Sequence, residues 1–147
     1  MKSFALPSLL ILLLLTQSAH AAAPDPSLLG CWRAERIVLH TQDGKKAQDT
    51  SGRCSLHFTE DHFESSCVTA GGTSTTTYRY EIVRPGVYQS TLASSTLRTG
   101  LAGATREYEY HVDGDHLATI THPPVQQPAS PTATVSVELE AAKTPCP

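Results

Sequence analysis

The sequence predicts an all-β protein, a small antiparallel up-and-down barrel of about eight strands with two disulfides. Three observations carry that reading. Beyond the N-terminal leader, no long segment repeats apolar residues at i, i+3, i+4 and i+7, the spacing an amphipathic helix needs. Short runs rich in β-branched and aromatic residues recur instead, separated by glycine-, proline- and aspartate-bearing turns. Within those runs apolar and polar residues alternate, as a half-buried antiparallel sheet requires. Many short strands in up-and-down order suit a barrel, because closure removes exposed edges.

The chain begins Met1-Lys2-Ser3, continues with the apolar run Phe4 to Leu15, and reaches Ala19-His20-Ala21 through a polar step. A cationic start, a short apolar run and a small-x-small site make a secretory signal peptide over residues 1–21. Ala23 is the alternative cleavage point. The apolar run is too short to span a bilayer of ~30 Å, so no membrane span is expected after cleavage. Residues 22–147 then form one domain. With 11 Lys and Arg against 14 Asp and Glu and no basic cluster, the chain is mildly acidic. That argues against nucleic acid and anionic membranes as partners.

The strands are expected in this order. Cys31 to His40 comes first, then a polar loop from Thr41 to Gly52. Cys54 to Phe58 and Phe63 to Val68 follow. A flexible loop at Ala70 to Thr73 leads into Tyr78 to Val83, and Pro85-Gly86 turns the chain into Val87 to Leu92. A small-residue loop, Ser94 to Thr105, precedes Glu107 to Val112. His116 to Thr121 lies across the Asp113-Gly114-Asp115 turn. A proline-rich loop, Pro123 to Pro131, precedes the last strand, Thr132 to Leu139.

Four cysteines in an exported chain read as two disulfides. A two-residue turn at Glu60-Asp61 sets Phe58 against Phe63, Leu56 against Ser65 and Cys54 against Cys67. Both cysteines then share the phenylalanines' face, at a non-hydrogen-bonded pair where Cα atoms approach most closely. Cys54 and Cys67 are therefore expected to pair, and Cys31 pairs with Cys146 by elimination. Alternation places Tyr78, Tyr80 and Ile82 on the inner face, with Tyr108, Tyr110, Val112, Val135, Val137 and Leu139. Arg79, Glu81, Glu107, Glu109 and His111 point outward.

The segment Leu28-Leu29-Gly30-Cys31-Trp32 resembles the Gly-x-Trp signature that opens the first strand of lipocalin-like barrels. The order of elements after it is similar to that of bacterial lipocalin-like, calycin-type domains. The resemblance implies that Gly30 and Trp32 are structural, with Trp32 closing the barrel bottom beneath a basic residue near the end of the last strands. That basic residue is not carried over: the final stretch offers only Lys143, beyond the apolar run. Avidin-like barrels begin similarly, but Trp32 is the only tryptophan.

No Gly-x-Ser-x-Gly elbow or phosphate-cradling glycine motif is present. His57 and His62, and His111 and His116, share a His-x4-His spacing across turns. A two-residue Asp113-Gly114 turn sets His111 directly opposite His116, whereas a three-residue turn breaks the pair. In the other hairpin the cysteine register sets His57 opposite Glu64, with His62 diagonal. Such pairs have the chemistry to hold zinc or copper, but solvated histidines on the polar face explain them as well. No metal site or cofactor is assigned. Phe58, Phe63, Tyr78, Tyr80, Tyr108 and Tyr110 either fill the core or line a ligand cavity.

The functional expectation is a periplasmic or secreted, non-enzymatic protein that holds a small, mostly apolar molecule in its barrel. The alternative is an exported inhibitor or immunity-type module that binds an envelope protein through the Ser94–Thr105 and Pro123–Pro131 loops. An isomerase or cyclase would need a buried acid–base pair that the sequence does not reveal.

Overall fold

The computed structural model describes residues 22–96, 103–122 and 130–147. The leader lies outside these residues, as do most of the two loops just named. The strands are β1 (Gly30–Thr41), β2 (Lys46–Asp49), β3 (Cys54–Phe58), β4 (His62–Thr69), β5 (Gly72–Arg84), β6 (Val87–Ser95), β7 (Thr105–Asp113), β8 (His116–Thr121) and β9 (Thr134–Thr144).

Every pairing is antiparallel, and each strand from β3 to β8 pairs with the next. β1 closes the sheet. Its first residues pair with β3, and nearly its whole length pairs with β9. Eight strands therefore form a closed barrel, and β2 is an addition to it. The segment expected as a polar loop contains this short strand, which pairs with the far half of β1 through Ile37↔Asp49 and His40↔Lys46. Lys-Ala-Gln-Asp has no apolar alternation to announce it, and its polar side chains suit a sheet edge.

The aromatic side chains fill the lower lumen. Phe58, Phe63, Tyr80 and Tyr88 belong to the buried core with Leu28, Trp32, Leu56, Leu117 and Ala141. Phe58 stacks on Phe63 at 4.8 Å between centroids, and both rings meet Tyr88 edge-on. Such contacts add to stability beyond the area they bury. The register of the β3–β4 hairpin is the expected one, Phe58↔Phe63 through Cys54↔Cys67. Cys54 and Cys67 are bonded with their Cα atoms 4.1 Å apart, and Cys31 is bonded to Cys146 across 115 residues.

One end of the barrel is sealed. Trp32 and Leu28 have no exposed surface, and the Trp32 indole N–H donates to the Leu28 carbonyl at 2.8 Å. β9 does not stop at Leu139 as expected but runs on to Thr144. Pairing with β1 carries it there and sets Lys143 opposite Trp32, with the ammonium 5.0 Å from the ring centroid. Lys143 thus takes the basic-partner role that the sequence reading withheld from it.

The candidate site: a tyrosine-lined lumen

The inward tyrosines form two ladders that climb from the sealed end. On β5, Tyr80 stands lower and Tyr78 one inward step higher. The Tyr80 hydroxyl donates to the Thr59 carbonyl in the β3–β4 turn at 2.7 Å. On β7, Tyr110 stands lower and Tyr108 higher. The Tyr110 hydroxyl donates to the Asp25 carboxylate at 2.7 Å. Asp25 also accepts the backbone N–H and hydroxyl of Ser27. The Tyr110 bond, with those from Ser27, holds the Asp25 carboxyl below its ordinary range despite some burial. Desolvation and the Asp25 carboxylate drive the Tyr110 phenol well above its usual value. Charge development at the phenol is therefore opposed on both counts.

The upper rungs differ from the lower. Tyr78 stacks on Phe63 at 4.7 Å and 16°, and Tyr108 stacks on Tyr88 at 4.9 Å and 10°. Phe63 and Tyr88 are buried, whereas Tyr78 and Tyr108 are inward yet only half-buried, as is Tyr110 below them. Polar and small residues share the rest of the lining with apolar ones: Ser90, Thr119, Thr121 and Leu92 are buried, and Cys54–Cys67 and Ser65 lie on the inner face. The Thr121 hydroxyl donates to the Val137 carbonyl. Among the described residues no buried side-chain nitrogen or oxygen lacks a partner.

Of the six aromatic residues singled out in the sequence, Phe58, Phe63 and Tyr80 belong to the buried core, and Tyr78, Tyr108 and Tyr110 pack against it. A seventh, Tyr88, is the hub of the cluster and contacts Phe58, Phe63, Tyr80, Tyr108 and Tyr110. Burial pushes its phenol far above the ordinary value. Its run, Tyr-Gln-Ser-Thr-Leu, alternates in only two apolar residues, so the signal was thin.

The histidine pairs fare differently. His57 stands opposite Glu64, as expected. His62 bonds instead to Asp61 and Thr59 through Nδ1, at 2.7 and 2.8 Å. His111 does not face His116: it pairs with Ala118, and His116 pairs with Asp113. The reason lies in the turn. Asp113-Gly114 as central residues would need both at positive φ, but no non-glycine residue adopts one, and Gly114 has φ 58°. Glycine therefore takes the first central position, as in a type II′ turn, with Asp115 second. Among the described residues one group gathers three residues of metal-ligating types, Cys31, His57 and Cys146. Its two sulfurs are bonded to each other.

A groove of about 360 Å³ crosses the outside of β7, β8 and β9 over Ala118 and Ile120. Its carboxylates are already engaged: Glu109 with His122, Glu138 with His40 and Glu140 with Arg36, all within 2.9 Å. Paired surface charges of this kind leave little for a ligand to use.

No family model and no curated protein matches the chain. Among solved structures, a lipocalin-like protein from Bacteroides uniformis superposes with a TM-score of 0.51 at 12% identity, covering 80% of this chain and 99% of that one. An uncharacterized protein from Bacteroides eggerthii gives 0.49 at 10% identity, over 78% and 98%. The closed eight-strand barrel and the first of these likenesses define a lipocalin-like small barrel. Its two disulfides suit an oxidising, non-cytoplasmic location.

Proposed function

We propose that this protein is exported, loses residues 1–21, and works in the periplasm or outside the cell as a non-enzymatic carrier of a small, mostly apolar molecule. The observation that carries this reading is the partial exposure of Tyr78 and Tyr108 inside the barrel. A lumen that served only as core would seal those rings as it seals Tyr88. The fold is compatible with the role, since an eight-stranded barrel has room for one small ligand. Mostly apolar walls with a few placed polar groups are the usual lining of such sites.

The test is native mass spectrometry of the protein purified from its own cell envelope. The expected result is a chain beginning at residue 22 that carries one noncovalent adduct, lost on unfolding. A bare chain that also takes up no small molecule from an envelope extract overturns the reading.

A further inference from the structure

Away from the sealed end, where Lys143 lies over Trp32, a charged side chain also belongs to the inner face of the barrel. Arg106 shares the parity of Tyr108 and Tyr110 on β7, one inward step above Tyr108, and pairs across to the buried Ser90. It is half-buried. One of its N–H groups reaches the Val135 carbonyl at 3.4 Å, the long end of a hydrogen bond. Its charge is felt at the Tyr78 phenol, where it works against the upward push of burial.

Arg36, Arg53 and Arg84 are matched with Glu140, Asp49 and Glu107, and Arg33 and Arg79, which have no such partner, are exposed to water; among the described residues Arg106 is half-buried with no carboxylate partner. Neither 97–102 nor 123–129 contains an aspartate or glutamate. The chain therefore offers no counter-ion for Arg106 beyond the residues already described. Holding a guanidinium partly out of water without one is unfavourable, and an arriving anion would relieve that cost. The guanidinium fork matches a carboxylate in two parallel hydrogen bonds. Directly below it, Tyr78 and Tyr108 are the less buried members of their two stacks, so aromatic surface remains open beside the charge.

We propose that the lumen takes a planar aromatic anion, with its ring against Tyr78 and Tyr108 and its carboxylate, or an equivalent acid, on Arg106. This rests on the small-molecule reading above and narrows it from a mostly apolar ligand to an acidic one.

The experiment compares 2-naphthoate with the neutral 2-naphthamide on the purified, disulfide-bonded protein. Calorimetry gives the affinities, and NMR follows the tyrosine ring resonances. The expected result is naphthoate binding at least tenfold tighter than the amide, with shifts at Tyr78 and Tyr108. Arg106→Gln should remove that advantage while leaving amide binding intact. Arg106→Lys, which keeps the charge if the glutamine variant folds poorly, should retain part of it. Equal affinity for the two probes, unmoved by Arg106→Gln, overturns the anion while leaving a carrier of neutral molecules. If neither probe binds, the inference fails, and an adduct on the envelope-purified protein would show that the carrier reading survives it.

Discussion

At the sealed end of the barrel, Trp32, Leu28, Tyr80 and Tyr110 are each tied to a neighbour by a hydrogen bond. One inward step higher, Tyr78 and Tyr108 are half-buried and held by ring stacking, and the next step is a half-buried guanidinium with no carboxylate partner among the described residues. The two disulfides divide the same way. Cys31–Cys146 lies at the sealed end and spans 115 residues, whereas Cys54–Cys67 spans 13 within one hairpin and faces the lumen. The closing hydrogen bonds and the long disulfide thus gather at one end.

The largest effect should come from separating the two staples. In the chain-entropy view the long loop contributes about 4–5 kcal/mol and the short one about 3 kcal/mol. The Cys31→Ala/Cys146→Ala protein should therefore unfold at a markedly lower urea midpoint than the Cys54→Ala/Cys67→Ala protein. Equal losses would mean that the sealed end holds without its own bridge.

The aromatic ladder offers the next comparison. Tyr88→Ala empties the hub of a packed cluster and should cost about 3–5 kcal/mol in urea unfolding. Tyr78→Ala removes a ring that already has solvent beside it and should cost about half as much. Ligand affinity should respond in the opposite order: Tyr78→Ala abolishes it, while any Tyr88 variant that folds, such as Tyr88→Phe, preserves it. Equal stability losses at the two positions would place Tyr78 in the core and remove the main support for a site.

Much of this contrast was legible before any coordinates, and the limits are instructive. A period of two fixes which residues face inward, so Phe58, Phe63 and four of the tyrosines were readable, and the cysteine pairing followed from the same register. The β7–β8 hairpin shows what that period cannot decide. Moving its turn from Asp113-Gly114 to Gly114-Asp115 shifts every pairing by two residues and leaves the same side chains inside. Only the backbone conformation at Gly114 separates the two registers, so the His111–His116 pair dissolved without any hydrophobic penalty. Lys143 was hidden differently. Glu-Ala-Ala-Lys has no strand signature of its own, and the segment is extended because β1 is there to pair with it. Arg106 was readable as an inward residue by parity, but its isolation from every carboxylate is a property of the folded barrel.

A smaller effect tests how the sealed end depends on pH. Asp25 has a folded-state pKa below its ordinary 3.8, chiefly through the Tyr110 hydroxyl. A carboxylate depressed in this way adds stability above its unfolded pKa, and the gain is lost as pH falls through the folded value. Unfolding free energy should therefore decline below about pH 4 more steeply in the natural protein than in Tyr110→Phe. At pH 7 that substitution should cost about 1 kcal/mol, the ordinary worth of one such hydrogen bond. An unchanged acid slope would assign the latch no electrostatic role.

The smallest effect concerns Lys143 over Trp32, where stem and charge do separate work. The stem passes beside Gly30, whose φ of 111° leaves glycine the unstrained choice, and carries the ammonium over the indole. Lys143→Met keeps most of that stem and removes the ammonium. A cation over an indole contributes about 0.5–1 kcal/mol when partly exposed. Urea unfolding followed by the fluorescence of this lone tryptophan should show a loss of that size, with the emission maximum of the folded protein unmoved because the ring stays buried. A red shift would mean that the apolar stem does not keep the ring covered without the charge, and no loss at all would mean that the charge is incidental to it. The second outcome would leave hydrophobic cover and the Cys31–Cys146 bridge as the means by which the end is closed.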